Sequence, residues 1–202
     1  MKQILIIEVS PRGSDSMSRN VTQNLSERVG ARFPDATIIR RDLSKHKIPH
    51  MDYSTLKAIS SKDPAEVLAN EESARLSDQL TNELLASDLL VISTPMWNFG
   101  IPSLLKAWID LVVRPGQTFN YAENGVVGLA KNKKAILVLA SGGVFSEGPW
   151  KPWDFVEPYL RAVLGFIGIQ DVQTVRVEGT NIPALAANAV PNAEKAAETL
   201  KL

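Results

Sequence analysis

Three short runs of uninterrupted apolar residues constrain this chain most: Ile4-Leu5-Ile6-Ile7, Leu89-Leu90-Val91-Ile92 and Ala135-Ile136-Leu137-Val138-Leu139. A strand with one wet face alternates apolar and polar residues, whereas a continuous run belongs to a strand buried on both faces. Strands of that kind pair in parallel and need helices on both sides of the sheet. Residues 2–9, 88–93 and 134–140 are therefore predicted strands, joined by weaker ones at 36–40 and 171–177.

The segments between them have helical character. After a loop at 10–18, Val21, Leu25, Val29 and Phe33 share one helix face, and Pro34 ends it. Asp63-Pro64-Ala65-Glu66 has the pattern of a helix start, with Asp capping, Pro in the first turn and Glu reaching back. It leads, with a break near Asn70, into Leu76, Leu80 and Leu84. Ile101, Leu104, Leu105, Trp108, Ile109 and Val112 form the clearest helical period, opened by Pro102. Residues 117–129 read as a hairpin around Glu123-Asn124-Gly125, 153–167 as a helix, and the alanine-rich tail as a last helix. The stretch 44–62 is polar and aperiodic. Five strands alternating with helices define an α/β protein, a three-layer doubly wound five-stranded parallel sheet. No repeat or linker divides it, so residues 1–202 read as a single domain, long enough to bury about 70% of its unfolded surface.

Charge and residue usage remove whole classes of function. With 22 basic and 22 acidic side chains, the chain has no net charge to attract nucleic acid or an anionic membrane. It has no apolar run near the roughly 18 residues of a membrane span and no secretory pattern at its start, so the cytoplasm is the expected location. Cysteine is absent, which excludes disulfides, a thiolate nucleophile and Cys-ligated metals. The two histidines, His46 and His50, are spaced i,i+4, but Pro49 lies between them and no acid follows His46 as in HExxH. They are expected to form a loop pair without a metal. No GxSxG elbow is present. Difficult chemistry then falls to a bound cofactor.

Open parallel sheets take ligands outside the carboxyl ends of their strands, which directs attention to residues 10–18, 94–100 and 141–149. The first segment lacks both GxGxxG and the Walker GK[ST]. It offers Ser10, Ser14, Ser16 and Ser18 beside Gly13, ahead of a helix. Hydroxyls, free N–H groups and a helix dipole suit a phosphate monoester, with Arg12 as the next donor. The same serines also fit a plain turn in which Ser18 caps the helix. In the second segment, Met96, Trp97 and Phe99 could face a planar ring whose polar edge Asn98 and main-chain amides reach, or could be core. In the third, Ser141-Gly142-Gly143 permits close backbone approach or makes a simple turn. Together, the three describe a pocket for flavin mononucleotide (FMN).

Ser10 with Ser16-Met17-Ser18, the run from Pro95-Met96-Trp97-Asn98-Phe99-Gly100 to Ala107-Trp108-Ile109-Asp110, and Gly116-Gln117-Thr118-Phe119 resemble the FMN-dependent NAD(P)H azoreductases. Gly142-Gly143 and Leu164-Gly165-Phe166-Ile167-Gly168-Ile169 continue the likeness in order. It covers nearly the whole chain and is weakest around 44–75. Many relatives carry tyrosine where Trp97 stands, and Ser-Arg-Gly-Gly in place of Ala140-Ser141-Gly142-Gly143.

The resemblance implies a flavodoxin-like fold, a homodimer and tightly bound FMN. It also implies reduction of quinones and azo compounds at the expense of NADH or NADPH. Ser10, Ser16, Met17 and Ser18 would hold the phosphate, Met96, Trp97, Asn98 and Phe99 the isoalloxazine, and Ala140, Ser141, Gly142 and Gly143 its pyrimidine edge. Phe119 and Tyr121 would wall the acceptor site, across the dimer, or else pack a core. Both substrates would use one flavin face in turn, a ping-pong two-electron reaction needing no side-chain nucleophile. The alternative is an electron carrier serving protein partners, although such carriers are strongly acidic and this chain is neutral. Trp150 and Trp153 either roof the substrate pocket or pack on the surface.

Overall fold

The computed structural model describes residues 1–46, 48–61, 71–123 and 125–202. Strands β1 (Gln3–Glu8), β2 (Thr37–Asp42), β3 (Leu89–Pro95), β6 (Lys134–Ala140) and β7 (Asp171–Val177) form a parallel sheet in the order β2-β1-β3-β6-β7. Strand β1 lies inside the sheet, between β2 and β3, because it can be buried on both faces: Ile4, Leu5, Ile6 and Ile7 are each 1% exposed or less. The chain winds outward from β1 to β2, crosses back to β3, and continues to β6 and β7. The order reverses between β1 and β3, so the loops leaving those strands diverge and open a crevice.

The pleat assigns the core to two faces. Leu5, Ile7, Leu90, Ile92, Leu137 and Leu139 point to one side. There they meet Leu80 and Leu84 of α3 (Glu71–Ala86), Leu105 and Trp108 of α4 (Ser103–Val112), and Leu160 and Leu164 of α5 (Glu157–Ile167). Ile4, Ile6, Val91, Ile136, Val138 and Val175 point to the other side. That face is covered by Val21, Leu25 and Val29 of α1 (Met17–Arg32), and by Ala189, Ala193 and Ala197 of α6 (Pro183–Glu198). Residues three or four apart on each helix supply the covering stripe, as a 3.6-residue period requires. The expected three-layer α/β architecture is present.

Element boundaries differ from expectation where capping decides them. Helix α1 opens at Met17 because Ser16, one residue before it, accepts the Arg19 N–H at 3.4 Å. Ser16 is therefore the cap, and Ser18 lies inside the first turn. The helix expected over 153–167 begins at Glu157: the Asp154 carboxylate accepts the N–H groups of Val156 and Glu157 at 2.9 and 3.1 Å. Lys151–Trp153 forms a separate 3₁₀ turn. Within the aperiodic stretch 44–62 lies a helix, α2 (Tyr53–Ser60), capped by Asp52, which accepts the Thr55 N–H at 2.7 Å. Only Thr55 and Ala58 of that helix are buried, so it leaves no apolar period to read. The expected start at Asp63-Pro64 and the break near Asn70 lie outside the described residues. The hairpin forms as β4 (Phe119–Ala122) antiparallel to β5 (Gly125–Gly128).

Candidate functional site

A cleft with about 190 Å³ of free volume opens at the carboxyl ends of β1, β3 and β6, where an open parallel sheet takes its ligands. Ser10, Arg12, Ser16, Met17 and Ser18 line one end, and Pro95, Met96, Trp97, Ala140, Ser141 and Gly142 the other. Among the described residues no carboxylate lines it.

The first end is built by the turn from β1 into α1. Ser10, Ser16 and Ser18 are 2%, 3% and 0% exposed. The Ser16 and Ser18 hydroxyls lie 3.2 Å apart, and Ser10 Oγ accepts the Arg12 N–H at 3.4 Å. The Arg19 N–H goes to Ser16 Oγ and the Asn20 N–H to the Ser16 carbonyl. The first-turn amides of Met17 and Ser18 have no intrahelical acceptor, and the helix dipole adds positive potential there. Ser14 lies in an exposed 3₁₀ turn (Gly13–Asp15) outside the cleft.

Beneath this end, Arg19 fixes the loop's backbone. Its Nε and Nη2 donate to the Ser10 carbonyl at 2.9 and 2.6 Å, while Nη1 and Nη2 donate to Asp42 at 2.8 and 2.7 Å. Glu8 adds a second ion pair at 3.2 Å. Burial alone would raise the Asp42 pKa, but hydrogen bonds from Arg19 and Ser44 outweigh it and hold that carboxyl at about 2. The bond to Asp42 likewise holds the Arg19 guanidinium above its usual range.

The other end joins two backbone segments. After β3, Met96 N–H donates to the Ala140 carbonyl at 2.7 Å, and Trp97 and Gly100 exchange two bonds of 3.0 Å. Between them Asn98 and Phe99 take φ of +48° and +68°. Two successive left-handed residues make a tight primed turn, and a phenylalanine held there costs on the order of 1–3 kcal/mol. After β6, Ser141 N–H donates to the Val177 carbonyl at 3.0 Å, and Ser141 Oγ to the Gly143 carbonyl at 2.9 Å.

The glycines admit the protein's own side chains. A Cβ on Gly142 would stand 2.5 Å from Asn181 Nδ2, and one on Gly143 would stand 2.3 Å from the Trp150 ring. Asn98, Phe99 and Gly143 flank the cleft rather than line it. Phe119 and Tyr121 lie on the β4–β5 hairpin, away from the lining. Phe119 is buried against Phe166, with ring centroids 4.6 Å apart, whereas Tyr121 is 78% exposed. His46 Nδ1 bonds the Asp42 carbonyl at 3.1 Å, outside the lining.

Sequence reasoning missed Thr180 and Asn181, which line the cleft after β7. Thr180 Oγ1 donates to the Ser141 carbonyl at 3.1 Å and Asn181 N–H to the Gly142 carbonyl at 3.0 Å. The strand-end rule applied to β7 as well as to the other strands points to both. Arg19 was also missed, because it sits on the polar face of an amphipathic helix and its partners come from two strands.

A fold and site of this kind belong to a nucleotide-binding α/β protein. Residues 2–200 match the sequence profile of the flavodoxin-like fold family, and the chain belongs to that family. It is 66% identical over 202 residues to an FMN-dependent NADH:quinone oxidoreductase of Beijerinckia indica, covering 100% of both chains. It is 46% identical over 200 residues to one of Agrobacterium fabrum, covering 98% of this chain and 95% of the relative. Among solved structures it is similar to the azoreductase from Bacillus anthracis str. Sterne, with a TM-score of 0.86 and 28% identity over 98% of this chain and 97% of that one. The FMN-dependent NADH-azoreductase from Bacillus anthracis str. Ames Ancestor, solved in complex with FMN, gives 0.82 and 29% over 98% of each. FMN fits the donor set found here: hydroxyls, free amides and Arg12 without a carboxylate at one end, and flat apolar faces beside backbone groups at the other.

Proposed function

We propose that this protein is an FMN-dependent NADH:quinone oxidoreductase that also reduces azo compounds. The observation that carries the reading is one cleft, at the switch in strand order, joining a phosphate-suited helix start to an aromatic wall and a backbone edge. The relatives' names agree with it.

Ser10, Ser16, Met17 and Ser18 hold the phosphate through hydroxyls and amides, with Arg12 supplying positive charge at the rim. Met96 and Trp97 face the isoalloxazine, and Asn98 and Phe99 fix the turn that presents them. Ala140, Ser141, Gly142 and Gly143 supply the backbone edge. When bound, FMN would supply the two-electron redox chemistry between NADH or NADPH and the acceptor. The chain's own work is to orient the ring and stabilise developing negative charge with preorganised amides.

The working form is a homodimer. Tyr121, Val126, Val127 and Phe166 are 78%, 41%, 41% and 40% exposed around the hairpin, apolar surface that a second copy would cover. Tyr121 reaches the acceptor from that side, backed by Phe119, which packs in the core behind it. An enzyme consuming NADH works where NADH is made, which places it in the cytoplasm.

The test is steady-state kinetics on protein loaded with FMN, using NADH with 1,4-naphthoquinone and with methyl red. Parallel double-reciprocal lines and FMN identified by mass after heat release are expected. No acceptor-dependent NADH oxidation, or release of FAD, would overturn the assignment.

A further inference from the structure

Beside the ring end of the cleft, packed on the residues that flank it, runs an aromatic segment that the function above leaves unexplained. Residues 144–155 leave the β6 end and run to the start of α5, bearing Phe145, Trp150, Trp153 and Phe155. Trp150 lies directly on Gly143, so its ring occupies the place of a side chain at that position. Trp153 meets the Phe99 ring edge-on at 5.3 Å, and Phe145 contacts both Phe99 at 6.2 Å and Trp150 at 5.6 Å. Phe155 N–H donates to the Phe99 carbonyl at 3.1 Å. The segment thus bridges the two walls of the ring end, resting on the strained turn at one side and on the glycine edge at the other. Trp150 and Trp153 do not line the cleft and remain 47% and 51% exposed, leaving ring surface free beside it.

Such a segment is held at its two ends by a single cluster. At its start, the Glu178 carboxylate accepts the N–H groups of Phe145 and Ser146 at 2.7 and 2.9 Å, and the Ser146 hydroxyl at 2.6 Å. At its finish, Asp154 accepts the N–H groups of Val156 and Glu157. Between the two carboxylates stands Arg176 of β7. It pairs with Asp154 at 2.5 Å, with Glu178 at 3.1 Å and with Glu157. The Asp154, Glu157 and Glu178 side chains are 6%, 17% and 12% exposed. Three carboxylates converging out of water repel one another unless a cation stands among them.

We infer that Arg176 is a positioning residue: by clamping both ends of segment 144–155 it fixes Trp150 and Trp153 as the rim against which the acceptor docks. It touches neither the cofactor pocket nor the acceptor, and its effect passes through the two carboxylates. The acceptor half of this inference rests on the quinone-reductase reading.

The experiment compares the FMN-loaded protein with Arg176→Met, Arg176→Lys and the double variant Trp150→Ala/Trp153→Ala. Hydrogen exchange reads the clamp without activity. In Arg176→Met the amides of Phe145, Ser146, Val156 and Glu157 are expected to exchange at least tenfold faster, while those of α1 stay unchanged. Kinetics read the rim. The KM for 1,4-naphthoquinone is expected to rise about tenfold in Arg176→Met and in the tryptophan pair. Over the same variants kcat and FMN affinity stay within threefold, and Arg176→Lys recovers part of the loss. Unchanged exchange in Arg176→Met overturns the clamp. An unchanged KM in the tryptophan pair, or a matching fall in FMN affinity, overturns the rim. Should Arg176→Met fail to fold, Arg176→Lys and the tryptophan pair decide between the same outcomes. Absence of quinone reduction by the unmodified protein defeats the functional reading and the acceptor half together, while the exchange comparison still judges the clamp by itself.

Discussion

The two ends of the cleft are each organised by one arginine, and they use it differently. At the serine end, Arg19 grips the backbone itself, donating two bonds to the Ser10 carbonyl and anchoring to Asp42 and Glu8 on the neighbouring strands. At the aromatic end, Arg176 bonds side chains instead of loop backbone; it holds three carboxylates, and two of them, Asp154 and Glu178, hold the loop. The serine end is nearly sealed, with hydroxyls 0–3% exposed, whereas the aromatic end leaves large rings in solvent. A small charged group that never leaves needs a fixed, desolvated cradle. A surface that takes and releases planar substrates gains from exposed rings held in place from behind.

The sharpest way to break this contrast is at the serine end. Replacing both Ser16 and Ser18 by alanine removes two hydroxyls from the cradle and the α1 cap. Each bond to a charged group is worth roughly 1.5–3 kcal/mol, so losing one weakens FMN binding about 10- to 100-fold. Titration of the cofactor-free double variant measures it, with circular dichroism confirming the fold. Unchanged affinity would move the phosphate to Arg12 and make the serines a plain turn.

How much of this contrast the sequence displays follows from where partners lie. Continuous apolar runs announce β1, β3 and β6 because burial on both faces is a local property of composition. The loops at 10–18, 94–100 and 141–149 follow, since ligand sites track strand ends. Even the hairpin is visible through Glu123-Asn124-Gly125. Arg19 and Arg176 are not visible, because each looks like an ordinary polar position on its own element. Their partners are set by which strands become neighbours: Asp42 lies opposite Glu8 only once β2 pairs with β1. Glu178 and Asp154 are 2 and 22 residues from Arg176, and no period connects the three. Helix α2 was hidden for another reason: it buries too little to leave a stripe. Gly142-Gly143 was legible as a place of close approach, but the structure puts Asn181 and Trp150 there, side chains 39 and 7 residues away along the chain.

A methyl group tests the aromatic end at its contact with the glycine edge. In Gly143→Ala the new carbon would stand 2.3 Å from the Trp150 ring, so the ring must shift outward. Its displacement alters the rim but leaves the serine cradle alone. Quinone kcat/KM is expected to fall roughly tenfold, short of the 10² or so that about 1 Å of misplacement costs at the reacting atoms. FMN affinity should stay within threefold. A parallel loss of both would show that the two ends are not independent, and the contrast between them would have to be withdrawn.

Acid should separate the ends most gently. Asp42 is held at about 2 in the folded protein, below the roughly 3.9 of an unfolded aspartate. A depressed folded-state value means its stabilising contribution is complete above about pH 4 and disappears as pH falls toward 2. Unfolding free energies from urea titration of the unmodified protein and of Asp42→Asn should therefore differ by about 1–2 kcal/mol near pH 6 and converge between pH 4 and 2. The unmodified protein carries the steeper acid limb. Because Arg19 holds the Ser10 carbonyl as well as Asp42, protonating Asp42 frees one side of the guanidinium while the loop contact persists. FMN retention should then outlast the stability difference, provided the titration is read below pH 4 before global unfolding. If FMN leaves in step with Asp42 titration, the loop depends on the carboxylate through Arg19. The serine end would then be held as indirectly as the aromatic one.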